Sequence, residues 1–118
     1  MLPQEHRLRN KKDIDLVFSS GKSIFDPICG VKFRKNGLDA SRFAIVAGIK
    51  VHKSAVKRNY LRRQYREIIQ KHLENIVAGC DFILLPSKKA LDIPFAEKET
   101  GLIAIFKKGK VWQENKSS

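Results

Sequence analysis

Acidic residues are scarce in this chain of 118 residues: 12 Asp and Glu stand against 24 Lys and Arg, a formal charge of +12. What carboxylates there are lie scattered, and no motif pairs them as a two-metal phosphodiesterase would require. Histidine is sparse too, and His6, His52 and His72 show no His-x-x-x-His or His-Glu spacing. No glycine-rich loop is present to cradle a phosphate. Cysteine occurs only as Cys29 and Cys80, both in apolar surroundings and neither in a Cys-x-x-Cys pair. That pattern reads as buried free thiols in a reducing compartment and not as a disulfide or a metal site. No apolar run approaches the ~18 residues of a membrane span. The first residues, Met-Leu-Pro-Gln-Glu-His-Arg, lack the apolar region of a secretory signal, so a cytoplasmic location is expected.

What the chain does have is positive charge and enough apolar residues, 42%, for one core. A surplus of +12 opposes compaction by self-repulsion and is best understood if a polyanion is the normal partner. Nucleic acid, an acidic membrane surface and an acidic protein all qualify, and a basic domain of this size favours nucleic acid. The length fits a single domain spanning 1–118, with no repeat or linker and a polar, basic, frayed tail over 107–118.

Along the chain, Asn10 and Asp13 open a short helix at about 11–20, with Ile14, Val17 and Phe18 on one face and Gly21 at its end. Ser23 to Arg34 reads as extended. Pro27 cannot donate a ladder hydrogen bond, so it marks an edge position or a bulge. Asn36-Gly37 is a turn. Arg42 to Ile49 is an apolar run of strand length, buried on both faces. Ser54 caps a long helix of about 23 residues closed by Gly79, a rod of ~35 Å. Asp81 to Pro86 is another buried strand, and Pro94 opens a last helix with Phe95, Leu102, Ile103 and Phe106 on one face. A strand, a long helix and a strand imply a crossover between parallel strands, in an α+β or α/β fold with a small sheet.

The long helix separates two faces. Leu61, Tyr65, Ile68 and His72, with Ile69 and Ile76 beside them, form the stripe expected to be buried; His72 on it reads as core and not as a catalyst. Asn59, Arg62, Arg63 and Arg66 lie opposite. From Lys53 to Arg66 there are six basic residues and no acid. A solvated face ordinarily mixes signs at i, i+4, because like charges there repel by a few tenths of a kcal/mol per pair. Here Arg58, Arg62 and Arg66 stack at that spacing, and Lys57 and Arg58 oppose the helix dipole in or beside its first turn. Arginine in particular suits bidentate phosphate contact. The face is built for an anion, and RNA is the expected one.

The segment Lys57-Arg58-Asn59-Tyr60-Leu61-Arg62-Arg63-Gln64-Tyr65-Arg66-Glu67 resembles the "RNR" signature of the bacterial ribonuclease P protein family. Lys50 and Lys53 ahead of the helix match it, as do Arg7 to Lys12 and the Asp13, Val17, Phe18, Gly21 pattern. The resemblance covers about residues 5 to 86. It departs at Tyr60, where the family usually carries a second arginine; stacking on a base or a hydrogen bond to phosphate would have to stand in for that contact. The resemblance implies an α+β fold like one domain of a ribosomal protein, a small mixed sheet with three helices in the order α-β-β-(β)-α-β-α and a left-handed crossover. It implies a subunit that binds the catalytic RNA through Lys50, Lys53, Lys57, Arg58, Asn59, Arg62, Arg63 and Arg66. It also implies a cleft for the 5′ leader of precursor tRNA at Ile14, Phe18 and either Lys32 or Phe33, because a shift of register by one residue swaps faces. For Phe18 and Phe33, plain core packing is the competing reading. No catalytic residue, metal ligand or small-molecule cofactor is expected in the protein; Mg²⁺ would be held mainly by the RNA and substrate. Two alternatives stay open: a structural ribosomal protein without the leader cleft, and a DNA-binding regulator, for which no spare apolar face offers the usual dimer interface.

Overall fold

The computed structural model describes residues 2–114. Three helices, α1 (Lys11–Ser20), α2 (Ala55–Lys71) and α3 (Phe95–Lys108), pack on four strands, β1 (Lys22–Ile24), β2 (Cys29–Lys35), β3 (Arg42–Ile45) and β4 (Cys80–Pro86). The sheet order is β1-β2-β4-β3. β1 and β4 both run antiparallel to β2, and β3 runs parallel to β4. The parallel pair joined through α2 is the expected crossover, and the sheet is mixed.

Central β4 explains the apolar run at 81–86. Phe82 and Leu84 face one layer and Ile83 the other, and all three are fully buried. The larger layer is the main core. Leu61, Tyr65, Ile68 and Ile69 of α2 and Leu102, Ile105 and Phe106 of α3 meet Val31, Phe33, Phe43, Phe82 and Leu84 there. The smaller layer, Val17 and Leu8 on Ile83 with Ile14, Ala44 and Leu85 beside them, fixes α1 to the opposite face of the sheet. Asn10 caps α1 by accepting from the backbone N–H of Lys12 at 2.9 Å. At its other end Gly21 comes so close to β2 that a Cβ would lie 2.9 Å from the Phe33 carbonyl oxygen and nearer still to that of Val17. Only glycine fits there.

Several boundaries differ from the sequence expectation. The extended stretch 23–34 is two strands, because Phe25–Ile28 leaves the ladder around Pro27 before the chain turns back. Pairing of β3 stops after Val46, whose N–H donates to the Leu84 carbonyl at 2.9 Å; Gly48 then starts a turn closed by the Val51 N–H. Helix α2 has 17 residues, about 26 Å, and not 23. It ends at His72 (φ −113°, ψ 19°), and a 3-10 turn over Leu73–Asn75 follows. Gly79 instead serves the entry to β4, in a left-handed conformation (φ 85°). The expected frayed tail is also corrected. Helix α3 runs through Lys108, Val111 is buried, and Trp112 pairs with Ile76. The rest of that tail, 115–118, lies outside the described residues.

Both thiols are buried, and burial pushes Cys29 up to about 12 and raises Cys80 as well, so neither is a nucleophile at neutral pH. No helix among the described residues is long and apolar enough to cross a membrane.

Candidate nucleic-acid interface

The one-signed face of α2 grows from its N-terminal cap. The Ser54 hydroxyl accepts from the Lys57 N–H at 3.3 Å and starts the helix. The buried stripe at Leu61, Tyr65, Ile68 and Ile69 then turns the remaining positions outward. Lys50, Lys53, Lys57, Asn59 and Arg63 are exposed, and Arg58, Arg62 and Arg66 are half-buried on the shoulder of the helix. None of the six basic residues from Lys53 to Arg66 has an ion-pair partner among the described residues.

Two of these arginines do something the sequence did not suggest. Arg58 donates to the carbonyls of His52 (3.0 Å) and Lys53 (2.9 Å), and Arg62 donates to the Ala47 carbonyl (2.7 Å) and to Asn59 Oδ1 (2.6 Å). They tether the loop between β3 and α2, which carries Lys50 and Lys53, to the helix. Each guanidinium has five donors, so this bracing leaves others free for an anion. Arg62 is therefore a bracing residue as well as a cation. Tyr60 is exposed, and its hydroxyl accepts from Gln64 at 3.3 Å. It opens on a groove shared with His52, Lys57 and Lys88.

The cationic surface extends beyond α2. Residues 7 and 8 pair alongside the edge strand β3: Arg7 bridges Phe43 in parallel, and the Leu8 N–H donates to the Phe43 carbonyl at 2.9 Å. This arm brings Arg7 and Arg9 to the same groove as Arg66, a cavity of about 370 Å³ floored by Phe43, Ala44 and Ile45. Arg7 and Arg9 were absent from the sequence-derived site. Their i, i+2 spacing on an extended segment was the available signal, but only the pairing with β3 places them beside α2.

The second candidate region lies on the α1 face of the sheet. Ile14 is half-buried against the small layer, and Phe18 is 43% exposed, so it is not a core residue. Register puts the two alternatives on β2 on opposite faces of the sheet. Lys32 pairs with Ile83 on the α1 face, and its Nζ stands 5.9 Å from the Phe18 ring centroid. Phe33 points the other way and is 7% exposed, its ring stacked on Phe82 with centroids 5.7 Å apart. Its assignment to the cleft is corrected: Phe33 is core. Phe25, not singled out from the sequence, joins this face. Its ring lies over Gly30, where a Cβ would sit 3.6 Å from Cδ1, and Lys32 Nζ is 5.8 Å from its centroid.

The position of α1 over the sheet is held by charge. Asp81, buried on β4, accepts from Arg42 Nε (2.8 Å) and Nη2 (2.7 Å) and from Asn36 Nδ2 (2.9 Å). The same Arg42 reaches Asp13 of α1 at 3.2 Å. The paired Asp81 carboxylate raises the Arg42 pKa. His72, expected in the core, is half-buried with Nε2 2.7 Å from Glu99 Oε2, joining α2 to α3. Among the described residues no group of three His, Cys, Asp or Glu could hold a metal ion.

Comparison with known proteins agrees with this architecture. The family model "Ribonuclease P" matches residues 2–110. The Ribonuclease P protein component of Thermotoga maritima is 43% identical over 86 residues, 73% of each chain. That of Streptococcus pneumoniae is 28% identical over 120 residues, covering 99% of this chain and 94% of its own. Among solved structures, the RNase P protein of Staphylococcus aureus superimposes with a TM-score of 0.83 at 25% identity, over 92% of this chain and 98% of its own. That of T. maritima gives 0.79 at 36% identity, over 86% and 96%. With the family model spanning nearly the whole chain and the same fold on both sides of the comparison, this chain belongs to the Ribonuclease P protein family.

Proposed function

We propose that this chain is the RNA-binding protein subunit of a ribonuclease P, assembling with a catalytic RNA through the cationic face of α2 and with the 5′ leader of precursor tRNA through the α1 face of the sheet. The observation that carries the reading is the unneutralised run from Lys53 to Arg66, extended by Arg7 and Arg9, on a helix whose dipole and i, i+4 repulsions disfavour it in isolation. A polyphosphate backbone removes both costs. Exposed Phe18 beside Lys32 supports the leader site, since a ring and an ammonium together hold a stacked base and its backbone.

The protein's part is binding and positioning. Cleavage of the leader to leave the mature tRNA 5′ end would be RNA chemistry dependent on Mg²⁺ held by the RNA and substrate. Among the described residues no group of carboxylates, thiols and imidazoles could hold a metal ion, and no step is assigned to them. A cytoplasmic location follows from that partnership.

The test is reversal of Lys57 and Arg63 together to Glu. Both are exposed, and neither braces the loop as Arg58 and Arg62 do, so the fold should survive. Assembly with the catalytic RNA should weaken at least tenfold at moderate salt, because two phosphate contacts become repulsions. Equal affinity of variant and wild type in a filter-binding titration removes α2 from the interface.

A further inference from the structure

A cavity of about 660 Å³ opens at the end of the sheet where β2 finishes and β4 begins, and none of the α2 cations lines it. Its floor is apolar, with Phe33 and Val111, and its rim carries Lys22, Arg34, Lys35 and Lys110. No acid lines it, and none of these four cations has an ion-pair partner among the described residues. Strand register sets their sides. Lys22 pairs with Phe33, and Lys35 follows Phe33 at i+2, so both lie on the α3 face of the sheet. Arg34 lies on the α1 face, about 7 Å along β2 from Lys32. Neighbours on one strand, Arg34 and Lys35 thus put a cation on each side of the sheet's end.

Helix α3 supplies the fourth cation from a strained position. The Val111 N–H donates to the Phe106 carbonyl (3.0 Å) and the Lys110 N–H to that of Lys107 (3.1 Å). These are the paired bonds of a Schellman turn in which Gly109 is the C-cap and Lys110 the residue after it. Lys110 is left-handed, with φ 60°, and no other non-glycine is so among the described residues. Glycine is the ordinary occupant, because a Cβ in that conformation crowds the following carbonyl. The glycine of this turn stands one place earlier. A Cβ on Gly109 would lie 2.6 Å from Ile24 Cδ1 and 3.3 Å from the Phe33 ring, so its bare Cα lets the end of α3 close on β1 and β2. The helix dipole favours cations at this end, but Lys107 and Lys108 already supply them. A lysine in the strained place brings its ammonium to the rim that Lys22 and Lys35 share, and strain kept in a fold points to a use.

We infer that Lys22, Lys35 and Lys110 form a phosphate-binding site for the 5′-distal part of long precursor leaders, outside the α1 cleft, with Arg34 carrying the strand over the end of the sheet. This goes beyond the leader reading above and rests on it. Cations without acids around an apolar floor suit a single strand whose phosphates meet the rim while its bases turn onto the floor. Continuity selects the leader over the catalytic RNA. A strand lying on Phe18 and Lys32 meets Arg34 next along β2, and Ser20 and Lys22 flank Gly21 at the end of the helix that carries Phe18. The α2 cations that face the catalytic RNA line other grooves.

The experiment reconstitutes the holoenzyme with its catalytic RNA and titrates three substrates. They are mature tRNA, a precursor whose leader of about 5 nucleotides fits the α1 cleft, and one whose leader of about 15 overruns it. Lys35→Gln combined with Lys110→Gly should weaken the long-leader precursor about fivefold or more and leave the other two as before. The loss should shrink as salt is raised, since phosphate contacts act by counterion release. Lys110→Gly alone should raise the melting temperature, because it removes the left-handed side chain, so lost affinity would not reflect a damaged fold. Full affinity of the double variant for the long leader overturns the site. Equal losses for all three RNAs put these lysines against the catalytic RNA and overturn the leader assignment. A lower melting temperature for Lys110→Gly overturns the reading of Lys110 as strained for binding. Failure of the leader reading itself looks different: the wild-type holoenzyme would then bind all three RNAs equally.

Discussion

Phe18 shows what a single residue's exposure decides. On a helical wheel it belongs to the same apolar face as Ile14 and Val17, and from the sequence it could equally be core. In the fold Val17 is fully buried and Phe18 is not, because α1 meets the sheet along Ile83 and leaves its next position over Lys32. Phe18→Ala should therefore cost much less stability than the ~3–5 kcal/mol of a core phenylalanine. It should lower precursor affinity by roughly 1–3 kcal/mol while sparing mature tRNA and the catalytic RNA. Melting the variant and titrating both tRNA forms checks this; a large drop in melting temperature with equal losses for both would return Phe18 to the core. Arg42 is the opposite case, a residue that sequence patterning passed over. Replacing it with Met should strand the Asp81 carboxylate, buried between β2 and β3 with only Asn36 left, at a cost of about 3 kcal/mol. Denaturant unfolding would read that directly.

At the scale of elements, α2 illustrates how far periodicity reaches. Its buried apolar positions, Leu61, Tyr65, Ile68 and Ile69, were legible, because 3.6-residue spacing and burial are two views of the same geometry; Gln64, buried among them, was not. Nor was its end. The apolar pattern continues through Ile76, but the helix stops at His72, where the ring packs against Trp112 (centroids 5.6 Å apart) and meets Glu99 of α3. That junction titrates. Glu99 accepts from Lys71 at 2.9 Å and from His72 at 2.7 Å, and these partners hold its carboxyl below the usual glutamate range. A carboxylate with a depressed folded-state pKa contributes stability above its unfolded pKa of ~4.3 and loses it as the pH falls through the lower folded value. Glu99→Gln should thus lower the melting temperature near neutral pH, by an amount worth about 1 kcal/mol since Lys71 is largely exposed. The gap between variant and wild type should close as the pH is taken to about 3. A difference independent of pH would mean the ion pairs contribute nothing.

The whole molecule is a small sheet with one thick and one thin layer, and it carries a charge of +12 that its own acids do not offset. If binding is by phosphate neutralisation, the log of affinity for the catalytic RNA should fall linearly with the log of salt concentration, with a slope of about −0.7 to −0.9 per phosphate contacted. Reversing Lys57 and Arg63 should flatten that slope by roughly two contacts. A slope near zero would exclude the electrostatic surface as the source of affinity. The sequence by itself determined the alternation of helices with extended segments, the apolar positions at Leu61, Tyr65, Ile68 and Ile69 of α2, the buried free thiols and the one-signed face, since each depends on residues near one another in the chain. Only the tertiary structure decided the rest. It set the register that sends Lys32 toward α1 and Phe33 into the core, because a one-residue shift reverses every side chain of a strand. It placed Arg7 and Arg9 beside Arg66 by pairing the N-terminal arm with β3, and Phe25 beside Phe18 by breaking the ladder at Pro27. It also turned Arg58 and Arg62 partly to bracing, because the carbonyls they reach lie in a loop whose path depends on where β3 and α2 meet. These are long-range pairings, and local spacing carries no information about which partner a residue meets across the fold.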